Sequence, residues 1–122
     1  RSIFEGIAYG TKHVFDTFEE LNNLPKKLYS VGGGTKNKLW SQLTTDIIGL
    51  EQIIRKITIG ASYGNAFMGA LALGDVERED INSWNEIDHK IIPINNPIYK
   101  KGYRHFRDLY ESTKNIMKEM DN

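Results

Sequence analysis

The stretch Val31-Gly32-Gly33-Gly34-Thr35-Lys36-Asn37 carries the clearest chemical character in this sequence. Three consecutive glycines let a ligand meet bare backbone. Helical spacing resumes at Asn37, so the glycines precede a helix N-terminus, whose N–H groups carry partial positive charge. That layout suits a phosphate or a sugar. It does not fit the dinucleotide pattern G-x-G-x-x-G, and no G-K-[ST] closes it as a P-loop. The plain alternative is a glycine-rich turn that only joins strand to helix. Lys36 is a candidate phosphate ligand, although a lysine in a first helical turn more often simply faces solvent. Asn37 has two open readings: its short amide can cap the helix, or exchange hydrogen bonds with a base edge.

Other chemistry finds little support. His13, His89 and His105 are far apart, and none has a second ligand at i+4 or an H-E-x-x-H context, which argues against a metal site or a triad. Asp46 is a conceivable general base, but its neighbours Thr44, Thr45 and Ile47 suggest a structural role at a helix end. With no cysteine there is no disulfide, thiolate metal site or thiol redox chemistry, and the usage leans toward a reducing cytoplasm. The 16 basic and 16 acidic side chains cancel, which removes the electrostatic footprint expected for nucleic-acid or anionic-membrane binding. No run reaches the roughly 18 apolar residues of a membrane span, and residues 1–5 lack a signal peptide's apolar core. A soluble cytoplasmic protein is expected. At 39% hydrophobic and 26% charged residues, the 122-residue chain suits one domain with a packed core.

The elements that must position the glycines follow from periodicity. Ile3, Phe4, Ile7, Ala8, Val14, Phe15, Phe18 and Leu21 fall on one helical face, and Asn22, Asn23 and Pro25 stop that helix. It starts almost at residue 1 without a cap or an initiator methionine, which looks like a cut chain. Residues 27–31 are short and rich in β-formers, so a strand is favoured before the glycines. Trp40, Leu43 and Ile47 then mark a helix from Asn37 to a stop at Gly49. Residues 52–57 are a second β-branched run, and the helix between the two makes a right-handed parallel crossover.

Residues 60–74 are small and glycine-rich, which suggests helix-to-sheet packing or close approach to a ligand. The acidic segment from Asp75 to Lys90 reads as a solvated connection with no chemistry of its own. Tyr99, Tyr103, Phe106, Tyr110, Thr113, Met117 and Met120 form a helical seam expected to dock on the protein's own body, with a dimeric coiled coil as the alternative.

Taken in order, R-S-I-F-E-G-I-A-Y at 1–9, V-G-G-G-T-K-N-K-L-W-S-Q-L-T-T-D-I-I-G at 31–49 and G-A-S-Y-G-N-A-F-M-G-A at 60–70 resemble the FGGY carbohydrate kinases. Tyr99, Tyr103, Phe106, Leu109 and Tyr110 look like that family's last helix, so the resemblance covers essentially the whole chain. It implies an α/β fold, part of an actin-like (ribonuclease H-like) ATPase domain, helix-rich with a small parallel sheet portion. Residues 1–122 would be the C-terminal part of the kinase's C-terminal domain, a single truncated domain.

The resemblance further implies ATP or ADP with Mg2+ as cofactor and a small sugar as substrate, with Mg-ATP lying between two domains of the whole enzyme. Residues matching Gly33 and Gly34 bring backbone up to the α-phosphate and ribose, and the residue matching Asn37 reaches adenine. The phosphate-binding loop, the sugar contacts, the general base and most of the magnesium site would lie in an absent part. No catalytic residue and no metal ligand is therefore assigned here, and the chain alone is expected to be inactive. Xylulose is the sugar expected, with gluconate, ribulose and glycerol behind it. The family often has glutamate where Gly60 stands and alanine where Asn65 stands, which places the chain in a subgroup and leaves the sugar open. The competing expectation is a non-enzymatic interaction module that binds a partner, or forms a homodimer, through the final helix.

Overall fold

A computed structural model describes residues 1–120. The chain opens with α1 (Ser2–Glu20), whose apolar stripe buries Ala8 and Tyr9. Asn22 ends it in the left-handed region at φ 54°, a conformation that asparagine tolerates. Strand β1 (Leu28–Ser30) leads into a 3₁₀ turn at Gly33–Lys36 and then α2 (Lys38–Ile48). Both ends of α2 are closed by the residues that the sequence offers. The Trp40 N–H donates to Asn37 Oδ1 at 3.1 Å, and Gly49 takes φ 80°, where a side chain would be strained.

Strand β2 (Gln52–Arg55) pairs with β1 in parallel, Leu28 opposite Gln52 and Ser30 opposite Ile54, so α2 is the expected crossover. The sheet is nevertheless mixed. A third strand, β3 (Ile87–Ile91), runs antiparallel on the other side of β2, with Gln52 opposite Ile91 and a register shift between Ile54 and Arg55. It lies partly in the segment expected to be a solvated connection. Four of its five residues are exposed, so no apolar alternation announces it; its ladder with β2 holds it.

Helix α3 (Ala61–Leu73) departs from expectation more sharply. Only Phe67 is buried, and a Cβ added at Gly64 or Gly69 would meet nothing within 4 Å, so these glycines mark no close approach among the described residues. What holds α3 is aromatic: Trp84, in the short helix α4 (Ile81–Trp84), packs on Tyr63 and edge-on to Phe67 at centroid distances of 5.7 and 5.4 Å.

The first half of α5 (Pro97–Met120) docks on the body as its seam predicts. Tyr99 joins Ala8, Tyr9, Leu43 and Ile47 in the buried cluster, with Phe4, Tyr103 and Phe106 packed against it. The second half leaves Met117 and Met120 exposed. Gly102 permits the docking: a Cβ there would stand 2.8 Å from Tyr9 Cζ, and nearer still to its hydroxyl, so only glycine lets the two helices meet at this point.

Candidate functional site

The three residues singled out by sequence, Gly33, Gly34 and Asn37, come together in a single turn between the C-terminal end of β1 and the N-terminus of α2. Gly32 begins the turn at φ 91°, ψ 177°, and its N–H donates to the Thr58 carbonyl at 2.6 Å, which ties the turn to the chain leaving β2. The Gly32 carbonyl accepts from both the N–H and the hydroxyl of Thr35, at 3.2 and 2.7 Å. The Asn37 N–H donates to Gly34 O at 3.0 Å.

These bonds fix the turn and leave some donors uncommitted. Among the described residues, the N–H groups of Gly33 and Gly34 make no hydrogen bond. Bare amides at a helix start are the groups that receive an anion.

The two glycines serve different purposes. A Cβ on Gly33 meets nothing within 4 Å, so its missing side chain opens the backbone to solvent. A Cβ on Gly34 would lie 3.0 Å from the Trp40 ring, so its missing side chain admits Trp40, which in turn stacks on Phe4 at 5.7 Å. Asn37 takes its capping role through Oδ1, while its Nδ2 has no partner among the described residues and remains available to a ligand. Lys36 is exposed and, like its neighbour Lys38, forms no ion pair among the described residues.

Depressions flank the turn on both sides. A cleft of about 200 Å³ runs beneath it between α1 and α2, lined by Ile7, Ser30, Val31, Gly34 and Trp40. A wider groove of about 780 Å³ separates Thr35, Lys36 and Lys38 from His89, Lys90 and Ile92 of β3 and the residue after it. Gln52, buried at the floor, accepts the Ser30 hydroxyl through Oε1 at 2.5 Å and so fastens β1 to β2 below the glycines.

Asp46 has the structural role expected of it. Its Oδ1 accepts the Gln42 side-chain amide and the Ile94 backbone N–H, both at 2.8 Å, which pins the segment after β3 to α2. The histidines are scattered: His13 sits edge-on to Tyr110, while His89 neighbours Asp88 at 2.7 Å. Among the described residues no three His, Cys, Asp or Glu side chains gather as a metal site would require. No described helix is long and apolar enough to cross a membrane.

The strongest charge cluster lies away from the turn. Asp16 meets Lys12, Tyr103 and Arg107 where α1 and α5 touch. Burial pushes its carboxyl up, but the hydrogen bonds from Lys12 and Tyr103 and the Lys12 and Arg107 charges outweigh that and hold it below the ordinary carboxylate range. Burial and the Asp16 contact push the Tyr103 hydroxyl up. At the end of β2, Lys56 and Glu86 pair at 2.5 Å; the Glu86 hydrogen bond raises Lys56 and the Lys56 hydrogen bond lowers Glu86.

Sequence reasoning missed Asn85, whose side chain bonds both backbone groups of Ile57, and Gly102. A lone asparagine in an acidic run and a lone glycine inside a helical seam give no periodic signal.

Comparison with known proteins decides the family. Residues 1–73 match the FGGY family of carbohydrate kinases, C-terminal domain. The chain belongs to this family. The FGGY chain is 31% identical over 109 residues to an FGGY carbohydrate kinase domain-containing protein of Xenopus laevis, covering 86% of this chain and 20% of that one. Against a ribulokinase of Bacillus licheniformis it is 29% identical, covering 98% of this chain and 24% of the relative. Against a xylulose kinase of Staphylococcus epidermidis it is 25% identical, covering 98% and 25%. The chain thus spans a quarter or less of the length of these relatives.

Among solved structures, the xylulose kinase from Rhodospirillum rubrum superposes with a TM-score of 0.78 at 22% identity, covering 95% of this chain and 24% of that chain. The Plasmodium falciparum glycerol kinase with ADP gives 0.75 at 24% identity, covering 93% and 23%. The fold is that of the actin-like ATPases as these sugar kinases build it, helix-rich with a small mixed sheet.

Proposed function

We propose that residues 1–122 form the C-terminal part of the second domain of an ATP-dependent carbohydrate kinase, and that the Gly33–Asn37 turn is the adenosine-facing wall of its nucleotide site. The observation that carries this reading is the pair of bare amides at Gly33 and Gly34, set between the end of a parallel strand and a helix N-terminus. The ADP-bound glycerol kinase among the solved relatives of this fold supports the choice of ligand. In this role the two glycine N–H groups donate to phosphate oxygens, and Asn37 Nδ2 reaches the base while its Oδ1 keeps the cap.

Phosphoryl transfer depends mostly on positioning and charge neutralisation, so a wall that anchors the nucleotide contributes without itself reacting. ATP supplies the phosphoryl group, and the acceptor is a hydroxyl of a small sugar or polyol, with xylulose proposed first. The described residues gather no carboxylate cluster fit for Mg2+. The chain by itself is proposed to turn over no sugar, which a coupled ADP-release assay tests: measurable turnover would contradict this assignment.

Calorimetry on the Gly33→Ala variant tests the site. The position is open and needs no positive φ, so alanine should stabilise the fold slightly, by about 0.4–1 kcal/mol. ADP affinity should fall about tenfold as the methyl group intrudes on the phosphate. Unchanged affinity would remove Gly33 from the site.

The interaction-module reading survives only for the end of α5, where Met117 and Met120 are exposed and the seam is not used by the body. A sedimenting dimer indifferent to ADP would favour it.

A further inference from the structure

We propose that Asn85 is a positioning residue for the glycine turn, acting through residues 57 and 58, which lie between them beyond the end of β2, as a side-chain substitute for a missing β-ladder. The pairing of β2 with β3 is disturbed at Ile54 and Arg55, and beyond Arg55 the chain leaves regular strand. At that point the Asn85 side chain takes over. Its Oδ1 accepts the Ile57 N–H at 3.0 Å, and its Nδ2 donates to the Ile57 carbonyl at 2.8 Å. One amide thus satisfies both backbone groups of one residue, as a neighbouring strand would.

The next residue carries the effect onward. The Thr58 carbonyl accepts the Gly32 N–H at 2.6 Å, the bond that anchors the turn at its first glycine. Residues 57 and 58 are therefore held from both sides, by Asn85 on one and Gly32 on the other.

Asn85 is itself firmly placed. Its carbonyl accepts Arg55 Nη1 at 2.6 Å, the preceding Trp84 carbonyl accepts the Tyr63 hydroxyl at 2.8 Å, and the following Glu86 carbonyl accepts the Lys56 N–H at 2.9 Å. Trp84 rests on Tyr63 and Phe67, so the same short segment also seats α3. Among the described residues Asn85 makes no hydrogen bond to the turn itself. It fixes where Thr58 can stand, and Thr58 fixes where Gly32 begins the turn. The functional half of this inference rests on the reading of that turn as the nucleotide site.

The test uses the whole chain and its Asn85→Asp and Asn85→Ala variants. Aspartate keeps the acceptor for the Ile57 N–H but sets a carboxylate against the Ile57 carbonyl; alanine removes both bonds. Amide hydrogen exchange is read at Gly32, with Leu43 and Ile53 reporting on the core, and ADP affinity is measured alongside. Gly32 exchange should quicken about tenfold in both variants while Leu43 and Ile53 keep their protection, and ADP should bind about tenfold more weakly. Gly32 exchange at the wild-type rate overturns the inference, as does a loss of protection spread evenly over Gly32, Leu43 and Ile53. If the wild-type chain takes up no ADP at the turn, the proposed function fails, and Gly32 exchange alone then decides whether Asn85 sets the turn.

Discussion

Gly34 and Trp40 occupy space that only one of them can have: the Trp40 ring lies 3.0 Å from where a Cβ on Gly34 would stand. The ring cannot retreat freely, because it is stacked on Phe4 of α1. Gly34→Ala should therefore cost about 1–3 kcal/mol as an overpacking change, read as a lower denaturant midpoint with an altered tryptophan emission. Gly33→Ala, two faces of one turn away in consequence though adjacent in sequence, should not. Equal destabilisation by both would contradict the division of roles between the two glycines.

Asn37 caps α2 and is proposed to meet the base, and one substitution separates the two roles. Aspartate is as good an N-cap as asparagine but has no amide donor. Asn37→Asp should keep thermal stability and lose ADP affinity, whereas Asn37→Ala should also lose about 1 kcal/mol of stability. If Asn37→Asp binds ADP as the wild type does, Nδ2 has no part in recognition.

At Gly102 the expected damage is to helix docking. A Cβ there collides with the Tyr9 ring and hydroxyl, so Gly102→Ala should push α5 away from α1 and destabilise by about 1–3 kcal/mol, despite alanine's better helix propensity. Tyr9→Phe in the same background should restore part of the loss, because the hydroxyl is the nearest obstacle. A double-mutant cycle with no coupling would show that the two residues do not meet.

Asp16 makes a prediction about pH. Its folded pKa is lowered relative to the unfolded chain, so its contribution is present above the ordinary carboxylate pKa of about 4 and is lost as pH falls through the lower folded value. Denaturant midpoints measured downward from neutral pH should decline in that acid window. In Asp16→Asn the decline should be shallower, with lower stability already at neutral pH; an identical acid slope would exclude Asp16 as its source.

Much of this structure could be read in advance because its signals were local. Asn37 and Gly49 bracket α2 by their own chemistry, and the aromatic spacing Tyr99, Tyr103, Phe106 places α5 on α1. β3 was illegible because Asp88, His89 and Lys90 face solvent and its order comes from backbone pairing, which leaves no side-chain pattern. The glycines of α3 are a different case: their pattern suggests helix-to-sheet packing or close approach to a ligand, and among the described residues a Cβ at Gly64 or Gly69 would meet nothing within 4 Å, which leaves no sheet packing at these positions. At the candidate site, the placement of Gly33, Gly34 and Asn37 in one turn between strand and helix was readable, but the bracing by Thr58 and Asn85 was not. Those contacts join residues 26 and 28 positions apart, and no periodicity connects them.

The central claim is tested most directly by titrating ADP into the nitrogen-labelled chain and following its amide resonances. The account predicts that Gly33, Gly34 and Asn37 move first and furthest, with Gly32 close behind and the exposed end of α5 unmoved. Resonances that shift elsewhere while those of the turn stay still would contradict it.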